Sequence, residues 1–325
     1  MTDAEITSAE PSTPETALSI EEAGNLAQDI IDNVEQVIVG NHGTVEQIVT
    51  AILARGHVLL EDVPGVGKTM LSRAVARSVD CSFKRVQFTP DLLPSDVTGV
   101  NVFNQQTREF EFRPGPIFAN FVLGDEINRA PPKTQSSLLE AMEEEQVTVD
   151  GETHRVPRPF TIIATQNSVE RNRTYELPMA EIDRFMKKLH LGYPDEDAES
   201  EMLHRVVGHH PIEKLEPVAT GEDLQSARET VAGVSIEEPI RRYVTQIAGY
   251  TRNNAVLGVS PRGSISLLRA AQARAVIDGR DYVIPDDVQS EAVSVLAHRI
   301  QLGADAAGTT RRELVEAALE HVSVP

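Results

Sequence analysis

The chain has 325 residues, 40% of them hydrophobic, which is ample for two domains with a buried core. Fifty acidic residues against 30 basic ones give a formal charge of −20, a surface that repels nucleic acid and anionic lipid. No apolar run approaches the roughly 18 residues of a membrane span, no signal-like core opens the chain, and the lone Cys81 excludes an internal disulfide, so a cytoplasmic protein is expected.

Residues 1–19 are rich in Thr, Ser, Glu and Pro and read as a disordered acidic tail. No Lys or Arg precedes Arg55, and the first 54 residues carry ten acids. The acids are scattered along the whole chain, which fits solubility at high salt better than a single basic partner. From Ile20 to Val39 apolar residues recur at helical spacing (Leu26, Ile30, Val34, Val37), and Thr44 to Arg55 makes a second helix.

The stretch VLLEDVPGVGKTMLSRAVA, Val58 to Ala76, is the one around which the chain is organised. Val58-Leu59-Leu60 reads as a buried strand, Lys68-Thr69 opens a helix, and Asp62, Val63, Pro64, Gly65, Val66, Gly67 and Met70 complete the loop between and just beyond them. Glycines let backbone N–H groups approach a phosphate with no Cβ in the way, and the helix start adds unpaired N–H groups and a positive dipole end. Lys68 would reach the β- and γ-phosphates, and the Thr69 hydroxyl would hold Mg²⁺. The usual pattern has Gly where Asp62 stands.

Four further short apolar runs read as strands: Arg85–Phe88, Phe121–Asp125, Thr161–Thr165 and Lys188–Leu191. Alternating with helices, they imply a parallel sheet and an α/β fold. Val100–Phe112 and Val147–Val156 read as β-hairpins, the second around Asp150-Gly151. Phe103, Phe110 and Phe112 gather in the first hairpin, either packed on their own domain or forming a contact surface. The strand Phe121 to Asp125 ends in two carboxylates. Asp125 would complete a Mg²⁺ shell and Glu126 would polarise the water that attacks a γ-phosphate. After Tyr193-Pro194 only helical periods continue, near 196–207, 236–253, 261–278, 285–297 and 311–321. The histidines, His209-His210 included, show no ligand spacing.

The blocks QFTPDLLPSDVTGVNVF, FRPGPIFANFVLGDEINRAPPKTQSSLLEAMEEEQVTVDG, FTIIATQN and LPMAEIDRF, from Gln87 to Phe185, resemble the MoxR family of AAA+ ATPases, and the resemblance extends over about 21–325. It implies an AAA+ P-loop core at 20–193, with two β-hairpin inserts facing a central pore, and a small all-α lid domain at 194–325. It further implies that the EDVPGxGKT form with Asp62 is ordinary, that Val39-Gly40 lines an adenine pocket, and that Asn167 is the sensor 1 residue. Arg184 then resembles an arginine finger supplied to a neighbouring subunit, and Arg262 a sensor 2 residue touching phosphate in cis. Arg129 is not expected to be catalytic. The loop Ser168–Arg173 departs from the family's usual Pro-containing form. The implied activity is hydrolysis of ATP with Mg²⁺ by a ring, a hexamer, that remodels or matures client proteins. The implied partner is a von Willebrand factor A protein on a separate chain, since no Asp-x-Ser-x-Ser motif occurs here. The alternative is a nucleotide-gated binding module with incidental turnover. A DNA-handling ring is opposed by the −20 charge, and GTP by the lack of an Asn-Lys-x-Asp motif.

Overall fold

In the computed structural model, residues 17–63, 65–167, 175, 177–206, 211–303 and 308–325 are described. Each apolar run becomes an element close to its expected bounds. The first part contains α1 (Ile20–Glu35), α2 (His42–Leu53), β1 (Val58–Asp62), α3 (Lys68–Ser78), β2 (Phe83–Gln87), α4 (Pro94–Thr98), β3 (Gly99–Asn104) and β4 (Glu109–Pro114). It continues with β5 (Phe121–Asp125), α5 (Pro132–Glu144), β6 (Gln146–Val149), β7 (Glu152–Arg155), β8 (Thr161–Asn167), α6 (Met179–Ile182) and β9 (Lys187–Leu189). Helices alone follow: α7 (Glu196–Val206), α8 (Pro211–Lys214), α9 (Gly221–Gly233), α10 (Glu238–Asn253), α11 (Pro261–Ile277), α12 (Pro285–Leu296) and α13 (Arg311–His321).

Five strands pair in parallel in the order β2-β5-β8-β1-β9. Their side chains alternate between two cores. Val58, Leu60, Phe121, Leu123 and Ile163 face one, while Leu59, Val122, Ile162 and Ala164 face the other with Phe88, Leu138 and Phe160. Helices cover both faces of the inner strands, which is why β1, β5 and β8 read as apolar runs. The first core continues through α1, α2 and α3 into α9, α10, α11 and α12, so packing runs unbroken from the sheet into the C-terminal helices.

Helix α9 escapes a reading by apolar period. It buries small residues, Ala227 and Thr230 beside Leu224 and Val231, but Thr220 and Asp223 form a reciprocal capping box that marks its start. The C-terminal helices also carry two isolated β-bridges, Ser235 to Tyr282 and Leu257 to Gln301.

The two hairpins, β3–β4 and β6–β7, lie against each other. Phe112 stacks on His154 with ring centroids 3.9 Å apart, and Asn101 Nδ2 donates to Asp150 Oδ2 at 3.0 Å. The two readings of the phenylalanines therefore divide between residues. Phe112 packs, whereas Phe103 and Phe110 form an edge-to-face pair that stays 49% and 72% exposed.

Candidate nucleotide site

Parallel pairing brings the carboxyl ends of β1, β5 and β8 to one edge of the sheet, with Asp62 opposite Asn167 in register. Gly65 and Gly67 adopt φ of +91° and +92°, and an added Cβ would meet nothing within 4 Å at either. Open space above two left-handed glycines, followed at once by the first residue of α3, is the cradle that a phosphate chain requires. Pro64 lies outside the described residues.

The Lys68 ammonium donates to the Asp62 carbonyl at 3.1 Å. Half-burial holds its pKa below the usual lysine value, opposed by the charges of Asp62, Asp125 and Glu126. Those charges place the lysine within the field of the β1 and β5 ends, where a bound triphosphate would need it.

Asp125 is fixed on both oxygens. Thr165 Oγ1 donates to Oδ1 at 2.6 Å, and the Arg85 guanidinium donates to Oδ2 from Nη2 at 2.5 Å and Nε at 3.1 Å. Glu126 sits at φ 57°, ψ 48°, a strained left-handed conformation for a non-glycine residue. Its N–H is held by Thr165 Oγ1 at 2.8 Å, and its carboxylate accepts from Gln87 at 2.8 Å and from Arg129 at 2.7 Å. Thr69 and Asp125 supply the hard oxygens that Mg²⁺ takes, so the residues present fit an ATP–Mg²⁺ complex. Sequence reading passed over Arg85, Gln87 and Thr165, which orient the two carboxylates. Their signal was positional: Gln87 stands opposite Asp125 on β2 and Thr165 lies near the end of the central strand.

Asp62 takes a different place from the one expected. Its backbone carbonyl receives Lys68, but its carboxylate turns away from the loop and accepts the N–H groups of Leu191, at 2.5 Å, and Gly192, at 3.2 Å. The side chain extends the β1–β9 pairing beyond Leu189, which is the local reason for an acid where the usual loop has Gly. Gly40 follows the α1 turn with φ +76°, and a Cβ there would come within 2.5 Å of Ala198 in α7, so Val39-Gly40 abuts the first C-terminal helix. Asn167 closes β8, and its side chain lies outside the described residues.

The two arginines occupy the opposite edge of the sheet. Lys187 pairs with Val58, the first residue of β1, and Met186 N–H donates to the His57 carbonyl at 2.9 Å. Arg184, just before them, is therefore separated from its own phosphate loop by the length of β1, about 16 Å at ~3.3 Å per residue. Its Nη2 lies 3.5 Å from Glu143 Oε2, and Nη1 donates to the Leu139 carbonyl at 2.9 Å. Arg262 pairs with the other oxygen of Glu143 and lies 3.7 Å from Asp183. Arg262, expected to touch phosphate in cis, stands in the first turn of α11, which begins at the edge of the sheet remote from Lys68. Asp183, next to Arg184 in the chain, binds the buried Arg299 at 2.8 Å and Ser260 at 3.1 Å, which fastens α11 and the end of α12 to the segment before β9.

A parallel sheet with a glycine loop, an Asp-Glu strand end and an appended helical unit defines a P-loop ATPase of the AAA+ class. Residues 57–187 match the model of the ATPase family associated with various cellular activities, and 248–318 match that of the AAA lid domain. The chaperone MoxR1 of Mycobacterium tuberculosis is 42% identical over 85% of this chain and 76% of its own. The uncharacterised protein YeaC of Bacillus subtilis is 51% identical over 91% of this chain and 93% of its own. A crystal structure from Cytophaga hutchinsonii, assigned as an ATPase, superposes with a TM-score of 0.87 at 38% identity, covering 93% of this chain and 96% of that one. The chain belongs to the MoxR family of AAA+ ATPases. Among the described residues no helix is long and apolar enough to cross a membrane.

Proposed function

We propose that this protein hydrolyses ATP at a site shared between neighbouring copies, and that the cycle remodels or matures client proteins. The observation that carries the reading is the distance between two groups of residues. Lys68, Thr69, Asp125 and Glu126 gather at one edge of the sheet, and Arg184 with Arg262 at the other, so one chain holds two halves of a site that only a second chain can unite. A hexameric ring satisfies that head-to-tail relation.

In this reading the loop from Val63 to Gly67 wraps the phosphates, with Val39-Gly40 against the base. Lys68 neutralises charge on the β- and γ-phosphates. Thr69 and Asp125 would hold Mg²⁺, which supplies further neutralisation of the phosphate oxygens. Glu126, kept in place by Gln87 and Arg129, accepts a proton from the attacking water, and Asn167 orients that water. Arg184 and Arg262, both joined to Glu143, reach the next protomer's γ-phosphate together. Such a finger is worth about 10³–10⁵ in rate. The exposed Phe103–Phe110 edge of the hairpin pair is the surface offered to a client, and a separate von Willebrand factor A protein is the partner that the family reading supplies.

Mixing variants tests the shared site. Arg184→Ala and Lys68→Ala chains are each expected to be inactive, while their mixture regains part of the turnover. A mixture that stays inactive although the chains co-assemble refutes the reading. Glu126→Gln separates motor from switch: a motor loses client processing while retaining nucleotide, whereas a nucleotide-gated binding module stays active.

A further inference from the structure

Two helices of this chain each carry an uncompensated pair of like charges at i, i+4, a repulsive spacing on a helix surface. On α5 it is Glu140 and Glu144, and on α3 it is Arg73 and Arg77. The α5 pair borders a cavity of about 290 Å³ that also contains Glu143, Glu181 and Arg184. The α3 pair borders a cavity of about 740 Å³ that contains Thr69 and Arg85, with Asp80 as its one carboxylate.

Within the protomer these groups are poorly matched. Arg73 is exposed and has no carboxylate partner among the described residues. Arg77 spends its donors on the backbone carbonyls of Leu215, at 2.5 Å, and Glu213, at 3.1 Å, which leaves its charge unanswered. Glu140 has no cationic partner among the described residues, and Glu144 receives only the neutral amide of Gln146 at 2.9 Å. Glu181 Oε2 is buried without a hydrogen-bond partner, and burial raises the pKa of that carboxyl. Four acids thus crowd one finger arginine, and three arginines crowd the metal-binding threonine, in a molecule whose net charge of −20 opposes self-association.

We propose that the Glu140/Glu144 face of α5 docks on the Arg73/Arg77 face of α3 in a second copy of this chain. The proposal rests on the shared-site reading, because uniting Arg184 with a neighbour's loop brings the cavity of one sign against the cavity of the other. Opposite charge then supplies the attraction that the overall charge denies, and it sets which edge meets which. The contact is heterologous, using two different patches on each copy, so it continues from protomer to protomer.

Charge reversal in the full chain tests it, read by sedimentation velocity across a concentration series with ATP and Mg²⁺. Arg73→Glu and Glu144→Arg are each expected to raise the concentration needed for assembly at least about tenfold. The double variant Arg73→Glu/Glu144→Arg is expected to return to within about threefold of the parent, because the exchanged signs attract again. Added salt should weaken assembly of the parent and double variant alike. Arg73→Gln and Glu144→Gln guard against misfolding of the reversed chains and should show smaller shifts in the same direction. The proposal is overturned if the single reversals assemble as the parent does, if only one of the two shifts, or if the double variant fails to recover. The Arg184→Ala/Lys68→Ala mixture distinguishes the two levels. Restored turnover in that mixture, alongside reversals without effect, sinks this docking mode and leaves the shared site standing.

Discussion

Replacing Asp62 by Gly restores the residue that the usual phosphate loop carries, and the structure says this should harm the fold rather than the site. Asp62 is 8% exposed, and its carboxylate accepts two backbone N–H groups, from Leu191 and Gly192, at the far end of the β1–β9 pairing. Removing it strands two donors in a buried position, at about 1–3 kcal/mol each. Glycine in a strand costs a further ~0.5–1 kcal/mol. Relief from partial solvation of Gly192, which is half-buried, brings the expected loss to about 3 kcal/mol. Asp62→Asn keeps an acceptor without the charge and should lose roughly half as much. Urea unfolding measures the loss, and binding of a fluorescent ATP analogue measures the site. Affinity is expected within about threefold of the parent, since the group that meets Lys68 is the main-chain carbonyl. A variant of unchanged stability that no longer binds nucleotide would show that the carboxylate serves the phosphates after all.

His57 makes stability depend on pH. Its Nδ1 accepts the Ile162 N–H at 3.0 Å and its Nε2 faces the Met142 carbonyl at 3.1 Å, so the ring is held neutral and burial lowers its pKa to about 4. The unfolded chain takes the proton first, so this contribution is complete above about pH 6.5 and is lost as pH falls towards 4, about 2 kcal/mol by pH 5. Urea midpoints from pH 8 to 5 should fall more steeply for the parent than for His57→Gln; parallel slopes refute the assignment. The ion pair between Lys187 and Glu291 is wholly buried, 2.5 Å between Nζ and Oε2, with Gln47 bonded to both side chains. Glu291→Ala should therefore cost about 3–5 kcal/mol, while the apolar pair Lys187→Met/Glu291→Leu recovers most of it. A single variant within about 1 kcal/mol of the parent contradicts this.

The fold was legible because both faces of the inner strands are buried: β1, β5 and β8 announced themselves as short apolar runs between helical periods, and the last three helices began at their expected residues. Helix α9 was missed because alanine and threonine give no periodic apolar signal, although its capping box was readable. Motif chemistry singled out Lys68, Asp125 and Glu126 as candidates, and the fold brings all three to the carboxyl ends of β1 and β5. Their supports, Arg85, Gln87 and Thr165, come from neighbouring strands, and only the β2-β5-β8 pairing brings them together. Asp62 shows the limit of a motif: the residue type was noted, but its carboxylate answers to the end of β9, far along the chain. Arg262 shows the same limit, since helical spacing fixes where α11 begins but not which edge of the sheet it meets.

The stack of Phe112 on His154 has a mechanical consequence. Only Glu145 separates α5 from β6, and the ring contact and the Asn101–Asp150 bond tie β6–β7 to β3–β4. The two ribbons are therefore tied into one unit joined to α5, the helix whose Glu143 pairs with both arginines. The Phe110 tip is thus linked to those guanidinium groups by a short path of covalent and packed joints.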